Sequence, residues 1–389
     1  MEDSRFIKSL QLENFLSYGS ESQEIELQPL NVLIGSNASG KSNLIEAIAL
    51  LKATPSDLPA PIRQGGGISD FLWKGNKQTP VARIKAIVNY PQGIQALNYE
   101  LKFSSTHQKL DIIDEVIETE TDTFYNYLSG YSILKAKSND YTQRQIQNFT
   151  PGWINPQQSI LSQRKDPYLY PEISYLGNQF ANVCLYRESH IGKHSELRNL
   201  QKTDLPENPL LEDGSNLGLF LNHLQYQLGN RIIIEKLRKF YDIAEELIIK
   251  ISGGTVQIFI REEGLIQPIP ATRLSDGTLH YLFLLALLLD PTPPPLICIE
   301  EPEIGFHPDI LPVIAEMLVE ASQRTQLIVT THSDILVSAI PPESVLVCER
   351  SRVKGTYLRR LQPDKLKDWL ENYTVGDLWR MGEIGGTRW

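Results

Sequence analysis

The segment from Leu30 to Lys52 places a glycine-bounded loop between a short apolar run and an amphipathic helix pattern. The loop, GSNASGKS from Gly35 to Ser42, fits the G-x-x-x-x-G-K-S pattern of a phosphate-binding loop in the strand–loop–helix order that gives the pattern its meaning. Backbone N–H groups of such a loop, with the N-terminus of the following helix, form a nest for phosphate. The segment therefore predicts an α/β fold that binds a nucleoside triphosphate.

The loop residues have separate predicted roles. Gly35 and Gly40 allow backbone conformations that a side chain would block. Lys41 is expected to reach the β- and γ-phosphates, and Ser42 to bind Mg²⁺. The predicted cofactors are ATP and Mg²⁺, and the predicted cofactor-binding residues of the loop are Gly35, Ser36, Asn37, Ala38, Ser39, Gly40, Lys41 and Ser42. A polar loop with a surface lysine is the alternative, which the flanking strand and helix disfavour.

Composition narrows the class of protein. No apolar run approaches the length of a membrane span, and the first residues lack the basic-then-apolar order of a signal peptide. Three widely spaced cysteines in apolar surroundings suit buried thiols in a reducing compartment, so the expected location is the cytoplasm. The net charge of −10 argues against a protein that coats DNA constitutively. A local basic groove on the surface remains compatible with this net charge.

The order of patterns predicts four segments. Three strand-like runs, Val81–Tyr90, Gln95–Ser104 and Lys109–Glu120, predict an antiparallel meander. Residues 121–171 are polar with little periodicity, which predicts an irregular insertion with some helix. A second amphipathic pattern predicts a helix from Ile232 to Leu247. The predicted division is an N-terminal ATPase lobe at 1–80, a β-meander at 81–122, an inserted mixed and helical lobe at 123–265, and a C-terminal ATPase lobe with a helical tail at 266–389.

Two polar groups follow apolar strands in the last third of the chain. Leu296–Ile299 lead into Glu300 and Glu301, and His332 follows the apolar run that ends at Thr330. After a phosphate-binding loop, this order predicts that Glu300 holds Mg²⁺ through water, that Glu301 polarises the attacking water, and that His332 contacts the γ-phosphate or that water. The alternatives are acidic residues capping a strand in solvent and a structural histidine.

A second anion-binding element is predicted at Ser275, Asp276 and Gly277, which begin a strongly apolar helix from Asp276 to Leu289. One chain does not need two phosphate nests for one nucleotide. Two chains docked head to tail do, because each nest can close over the ATP of the other. The pattern therefore predicts a homodimer with ATP sandwiched between the copies, although the same residues also begin ordinary helices.

In the order GSNASGKS, LSDGT, ICIEEPE and TTHS, the sequence resembles the ABC-type ATPase heads of the RecF, SMC and OLD-like group. It is more similar still to a bacterial group of stand-alone predicted ATPases, through RQGGGISDFLWKG, SILSQRKDP and the terminal GEIGGTRW. The resemblance implies an ABC head with an inserted meander and helical lobe. By analogy, Arg273 helps to position the signature LSDGT, and Gln64 is the candidate that senses Mg²⁺. Glu300 replaces the usual Asp, which suggests slow hydrolysis.

Three functions are compatible with these features. The first is a regulatory ATPase whose dimerisation controls a separate protein effector, as in bacterial phage-defence pairs. The second is a RecF- or SMC-like ATPase that binds DNA, for which basic clusters at 231–239 and 350–360 are candidate contacts. The third, an OLD-type nuclease, needs on the order of a hundred further residues, whereas 57 follow His332. The acidic balance favours a protein partner, and no nuclease domain is expected in this chain.

Overall fold

In the computed structural model the chain forms three β-sheets with helices packed on them, and the structure describes residues 5–21, 23–76, 78–137, 144–149, 154–187, 192 and 195–386. The described strands are β1 Ile7–Glu13, β2 Gln23–Glu26, β3 Leu30–Ile34, β4 Ala82–Val88, β5 Leu97–Thr106, β6 Lys109–Glu118, β7 Thr123–Leu128, β8 Tyr131–Lys137, β9 Arg144–Phe149, β10 Cys184–Tyr186, β11 Gln201–Lys202, β12 Ala244–Ser252, β13 Thr255–Glu262, β14 Ile269–Pro270, β15 Leu296–Glu300, β16 Gln326–Thr330, β17 Val345–Ser351 and β18 Gly355–Arg360. The described helices are α1 Lys41–Ala53, α2 Pro59–Gln64, α3 Ile68–Phe71, α4 Ile160–Gln163, α5 Pro171–Ala181, α6 Leu217–Leu228, α7 Asn230–Leu237, α8 Asp276–Leu289, α9 Leu311–Ala321, α10 Asp334–Ser338, α11 Pro363–Leu370 and α12 Val375–Met381.

A six-stranded sheet lies between two hydrophobic cores, in the order β10-β15-β16-β3-β17-β18. Its pairs are parallel except for the antiparallel pair β17–β18. Because both faces are covered, β3 and β16 are buried at every position. Leu33 pairs with Thr330, and Thr330 pairs with Glu300. The carboxyl ends of β3, β15 and β16 therefore meet at one edge of the sheet, where ligands bind in open α/β sheets.

An eight-stranded antiparallel sheet packs on one side of α1, in the order β2-β1-β4-β5-β6-β7-β8-β9. The predicted meander strands are confirmed as β4, β5 and β6. The prediction of irregular chain at 121–171 is wrong where β7, β8 and β9 continue the same sheet. Pairing with β6 supplies the hydrogen bonds that the polar composition does not signal. The predicted boundary after residue 122 thus falls between two paired strands, and the division into four segments stays a prediction.

A smaller antiparallel sheet, β11-β13-β12 with β14 beside β13, packs against α6 and α7. The prediction of one helix from Ile232 to Leu247 is wrong beyond Leu237, where α7 ends. The following chain turns at 238–243 and enters β12, whose backbone hydrogen bonds are made with β13. Isoleucine-rich residues suit a strand as well as a helix, so the apolar pattern alone did not distinguish the two.

The C-terminal part matches its prediction closely. Helix α8 spans the predicted residues Asp276–Leu289 and is buried from Thr278 to Leu288, and β17 and β18 form an antiparallel pair. The predicted helical tail appears as α11 and α12, while Thr387, Arg388 and Trp389 lie outside the described residues. Within the described part of the chain, no helix has the length and apolar character to cross a membrane.

Candidate nucleotide-binding site

The loop between β3 and α1 adopts a conformation that depends on its glycines. Gly40 has φ of +109°, and a Cβ built on it would lie 2.3 Å from Thr356 Oγ1. A Cβ on Gly35 would lie 2.3 Å from the carbonyl oxygen of Cys348. Both positions therefore exclude larger residues, and the loop is held against β17 and β18. This close packing leaves the loop wrapped around the N-terminus of α1, as a phosphate nest requires.

Lys41 is folded over the loop that precedes it. Its Nζ donates to the carbonyl oxygens of Gly35 at 2.9 Å and Ser36 at 3.1 Å. Burial lowers the pKa of Lys41, an effect opposed by the nearby Cys348 thiol and the Glu301 and Glu303 carboxylates. The buried hydroxyl of Ser39 has no hydrogen-bond partner among the described residues. A lysine and a hydroxyl with spare donors in a glycine-bounded cradle fit a phosphate group.

The predicted metal ligands touch each other. Ser42 Oγ donates to Glu300 Oε2 at 2.8 Å, across 258 positions of sequence. Burial raises the pKa of Glu300, while Ser42 and Arg187 act in the opposite direction. Arg187 Nε lies 3.7 Å from Glu300 Oε1, and its Nη1 donates to Glu46 at 2.6 Å. The extra methylene of Glu300 therefore does not separate it from the loop serine.

The predicted catalytic residues are also adjacent. Glu301 Oε1 lies 3.7 Å from His332 Nε2, and the backbone N–H of Glu301 donates to Thr330 at 2.9 Å. Glu301 has φ of +49°, an unusual conformation for a residue with a side chain. Glu303 Oε1 accepts hydrogen bonds from Thr331 Oγ1 and from the backbone N–H of His332, both at 2.7 Å. Glu303 thus fixes the loop that carries His332.

The signature segment caps α8 and contacts residues outside the phosphate loop. Ser275 Oγ accepts a 3.0 Å hydrogen bond from the N–H of Thr278, and Ser275 is exposed. Asp276 is paired with Arg198, which also donates to the carbonyl oxygen of Leu274 at 2.7 Å. This hydrogen-bonded pairing lowers the pKa of Asp276. Gly277 lies beside Gly305, since an added Cβ would be 3.5 Å from the Gly305 oxygen. The arrangement leaves an exposed helix N-terminus separate from Gly35–Ser42.

Gln64 and Arg273 lie farther from this cluster. Gln64 is the last residue of α2 and lines a cavity of about 850 Å³ together with Glu46 and Arg187. Arg187 connects that cavity to Glu300 through the contact given above. Arg273 is exposed in the turn that precedes the signature. The roles of both residues stay predictions.

The family model described as "AAA domain, putative AbiEii toxin, Type IV TA system" matches residues 30–338, which include every element of this cluster. The chain belongs to this family. The match begins at β3 and ends within α10, so it takes in the phosphate loop, the signature, the acidic pair and His332. Membership implies nucleotide binding by this AAA-domain chain.

Relatives of the AAA-domain chain include proteins named DNA replication and repair protein RecF. The protein from Streptococcus uberis is 52% identical over 52 residues, 13% of this chain and 14% of that protein. The one from Gloeothece citriformis is 24% identical over 261 residues, 66% of this chain and 62% of that protein. The chain therefore spans less than two thirds of the length of these relatives.

Solved structures of SMC heads share the fold. One is an SMC head bound to the C-winged helix domain of ScpA, with a TM-score of 0.57 and 15% identity over 93% of this chain and 99% of that one. Another, from Pyrococcus furiosus, has a TM-score of 0.56 and 14% identity over 94% and 98% of the two chains. The fold is that of an ABC-type, RecF- and SMC-like ATPase head, as the resemblance predicted.

Sequence patterns missed several residues of the site in this AAA-domain chain. The contacts of Arg187, Arg198 and Glu303 are given above, and Arg350 Nη1 donates to Ala38 at 3.3 Å in the loop. Glu303 is the only one of these four within a motif, the EEPE stretch. Arg187 and Arg198 come from segments without a recognisable pattern, whereas Arg350 belongs to the predicted basic cluster at 350–360. The contacts of all three depend on partners far away in sequence.

The first of the two predicted basic clusters is paired with carboxylates, and the second is paired in part. In the first, each cation pairs with a carboxylate: Arg231 with Glu235, Lys236 with Glu320, Arg238 with Glu263 and Lys239 with Glu316. In the second, Lys354 pairs with Glu21. Arg359 and Arg360 donate to backbone oxygens at 2.7–2.9 Å. Cations paired with carboxylates attract a phosphodiester backbone less than free ones, which weakens the case for the first cluster as a DNA contact.

Proposed function

We propose that this AAA-domain chain binds ATP with Mg²⁺, hydrolyses it slowly, and acts as a switch through a homodimer that sandwiches ATP. The observation that carries the proposal is the 2.8 Å contact between Ser42 and Glu300. It joins the phosphate loop to the acidic strand end, beside the pair of Glu301 and His332. A phosphate nest, two adjacent oxygen ligands and a carboxylate next to an imidazole are the parts that phosphoryl transfer to water requires.

Each side chain has a definite task in this scheme. The loop N–H groups and Lys41 hold the phosphates, and Ser42 and Glu300 supply oxygen ligands to the metal, whose charge offsets that of the phosphates. Glu301 orients the attacking water, and His332 contacts the γ-phosphate or that water. Slow hydrolysis is inferred from Glu300, which stands where related heads carry a shorter Asp.

The dimer follows from the position of the signature. Ser275 is exposed at the N-terminus of α8, and the residues on either side of it contact Arg198 and Gly305. The free N–H groups and the dipole of a fourteen-residue helix favour an anion at this end. A second copy, docked head to tail, supplies that anion as the γ-phosphate of its ATP.

The test uses Glu301→Gln, which keeps the shape of the side chain and removes the carboxylate that orients water. With ATP and Mg²⁺, this variant is expected to elute as a stable dimer in size-exclusion chromatography with light scattering, while its hydrolysis is lost. The double variant Lys41→Ala/Glu301→Gln is the control and is expected to stay monomeric. A Glu301→Gln protein that binds ATP but remains a monomer would refute the sandwich.

For the wider role, we propose that dimerisation regulates a separate protein effector in bacterial antiviral defence, in the cytoplasm. The family description names a toxin and a toxin–antitoxin system, and the carboxylate-paired basic cluster at 231–239 favours a protein partner. Three buried free cysteines suit a reducing compartment. A protein that co-purifies with the Glu301→Gln dimer, and is released by Lys41→Ala/Glu301→Gln, would support this role.

A second candidate is a DNA-binding ATPase of repair or maintenance, favoured by the RecF relatives. In that case duplex DNA is expected to raise the ATPase rate, with a stimulation that falls steeply as salt increases. If DNA changes neither ATP hydrolysis nor dimerisation, the effector proposal gains support. If DNA does change them, Arg350, which donates to Ala38 of the loop, is the first contact to substitute.

A further inference from the structure

The C-terminal segment, residues 374–386, folds into a compact unit on the surface of the ATPase head. Helix α12 begins with a capping box in which the side chains of Thr374 and Asp377 each accept from the other's backbone N–H. The chain then turns back, because Trp379 Nε1 donates to the carbonyl oxygen of Gly386 at 2.6 Å. Trp379 and Ile384 are buried. The described end of the chain is therefore held in one place rather than left as a free tail.

One end of this unit touches the phosphate loop. The N–H of Gly386 donates to Glu349 Oε1 at 3.2 Å, and Arg359 donates to the oxygen of Ile384 at 2.7 Å. Gly386 has φ of +59°, and a Cβ on it would lie 3.3 Å from Gly35 Cα and 2.9 Å from Val347 Cγ1. Two glycines thus meet backbone to backbone at the entrance of the loop. A side chain on Gly386 would press against Gly35 and Val347.

The other end touches the helix that follows His332. A Cβ on Gly376 would lie 2.0 Å from the carbonyl oxygen of Asp334 and 2.2 Å from Ser338 Oγ. Arg380 lies 3.5 Å from Asp334, and Thr374 is within hydrogen-bond distance of Ser338 at 2.9 Å. Asp334 begins α10, two residues after His332. The segment therefore packs against both halves of the site, which lie about 300 positions apart in sequence.

We propose that residues 374–386 are a positioning element, named here the C-terminal strut, that sets the phosphate loop and the His332 loop relative to each other. Through Gly386 the strut fixes Gly35 and so the affinity for nucleotide. Through Gly376 it fixes α10 and so the placement of His332 for turnover. Displacements of about 1 Å at a reacting centre change rates by about a hundredfold, so glycine-tight contacts at both ends are significant. The inference rests on the proposed ATPase function and adds the residues that position its two halves.

The first test compares Gly386→Ala with Gly253→Ala. Gly253 has nearly the same φ, +60°, but nothing lies within 4 Å of its Cβ position, so it controls for backbone strain alone. Binding of a fluorescent ATP analogue is measured in the presence of Mg²⁺. Gly386→Ala is expected to weaken binding at least tenfold, while Gly253→Ala stays within twofold of the natural chain. Equal affinities for the two variants would overturn the role of Gly386.

The second test compares Gly376→Ala with Gly177→Ala, a helical glycine whose Cβ would make only an ordinary contact, 3.5 Å from the Leu161 oxygen. Gly376→Ala is expected to lower kcat about tenfold and to leave ATP affinity within twofold, because α10 moves and the phosphate loop does not. Gly177→Ala is expected to change neither value. A parallel loss of kcat in both variants, or unchanged kcat in Gly376→Ala, would overturn this half of the inference.

A measurement on the unaltered chain covers the case in which Gly376→Ala does not fold. By linkage, a strut that sets nucleotide affinity must itself be stabilised by nucleotide, so ATP is expected to slow amide hydrogen exchange at residues 376–386. If the natural chain binds no ATP, the proposed function fails. If it binds ATP but exchange at 376–386 is unchanged and Gly386→Ala matches Gly253→Ala, the strut fails and the ATPase proposal stands.

Discussion

Replacement of Glu115 by Gln is expected to remove a large pH dependence from the stability of this protein. Glu115 is buried on the core-facing side of β6, where its carboxyl oxygens accept from Tyr99 at 2.8 Å, from Ser159, and from the N–H of Ile160 at 2.9 Å. These bonds attach the stretch that begins α4 to the eight-stranded sheet. Burial raises the pKa of Glu115 from 4.5 to about 7, even though Ser159, Ile160 and Tyr99 favour the ionised form.

The sign and size of the effect follow from this pKa. The folded state binds more protons than the unfolded state between pH 4.5 and about 7, so the free energy of unfolding falls as pH rises through that window and is level above it. At about 1.4 kcal/mol for each pKa unit, the loss is about 3 kcal/mol. Glu115→Gln keeps an acceptor for the N–H of Ile160 and has no proton to lose. The variant therefore lacks this slope.

The assay is urea unfolding at pH 5, 6, 7 and 8 for the natural chain, for Glu115→Gln and for Glu120→Gln, an exposed control at the end of the same hairpin. The difference in unfolding free energy between the natural chain and Glu115→Gln is expected to fall by about 2.5 kcal/mol from pH 5 to pH 8, because part of the titration lies below pH 5. The corresponding difference for Glu120→Gln should stay level. If the Glu115→Gln difference is also level within about 0.5 kcal/mol, the account of this carboxyl is refuted.

Two further predictions concern the dimer. Ser275→Asp keeps an N-cap oxygen for α8 but adds a negative charge where the partner's γ-phosphate is expected, so the Glu301→Gln protein should lose its ATP-dependent dimer. Ser275→Asn is a neutral N-cap and should retain the dimer. If both variants dimerise, the placement of the γ-phosphate at Ser275 is contradicted. Arg198→Met removes charge-assisted hydrogen bonds to Asp276 and Leu274 that are worth roughly 1.5–3 kcal/mol. The variant should therefore dimerise about tenfold more weakly or worse. The monomer should still bind a fluorescent ATP analogue normally. Loss of ATP binding by the monomer would show that Arg198 acts elsewhere.

Motifs written in consecutive residues were predictable because their chemistry is local. The phosphate loop and the apolar helix α8 each combine a short pattern with a definite periodicity, and α8 has the predicted bounds Asp276–Leu289. The same holds for the acidic pair after β15. That the phosphate loop and the acidic pair lie together was predictable because the carboxyl ends of parallel strands meet at one edge of the sheet.

What the sequence did not reveal depends on partners distant in the chain. Strands β7 to β9 lie in a stretch with little periodicity, and successive pairing of β7 with β6, β8 with β7 and β9 with β8 makes them strands. Glu115 faces the core because a bulge between Asp114 and Ile112 shifts the alternation of β6. Gly35 belongs to the phosphate-loop motif, but nothing in the sequence indicates that Gly386 lies beside it. Their contact, across about 350 positions, appears only when β17 brings the two together.

The three carboxylates of the EEPE stretch have different environments, and glutamine separates their roles. Glu303 Oε1 accepts from both Thr331 Oγ1 and the N–H of His332, so the loop requires a hydrogen-bond acceptor at this one oxygen. A glutamine oxygen can accept both hydrogen bonds, so Glu303→Gln should keep kcat within about threefold. Glu303→Ala leaves the backbone N–H of His332 without this acceptor and should lower kcat about tenfold or more. Glu301→Gln, by contrast, removes the group that orients water and should abolish turnover. A steady-state phosphate-release assay compares the two glutamine variants. If Glu303→Gln is as inactive as Glu301→Gln, the charge of Glu303 takes part in the chemistry. The assignment of Glu301 as the sole water-orienting carboxylate is then wrong.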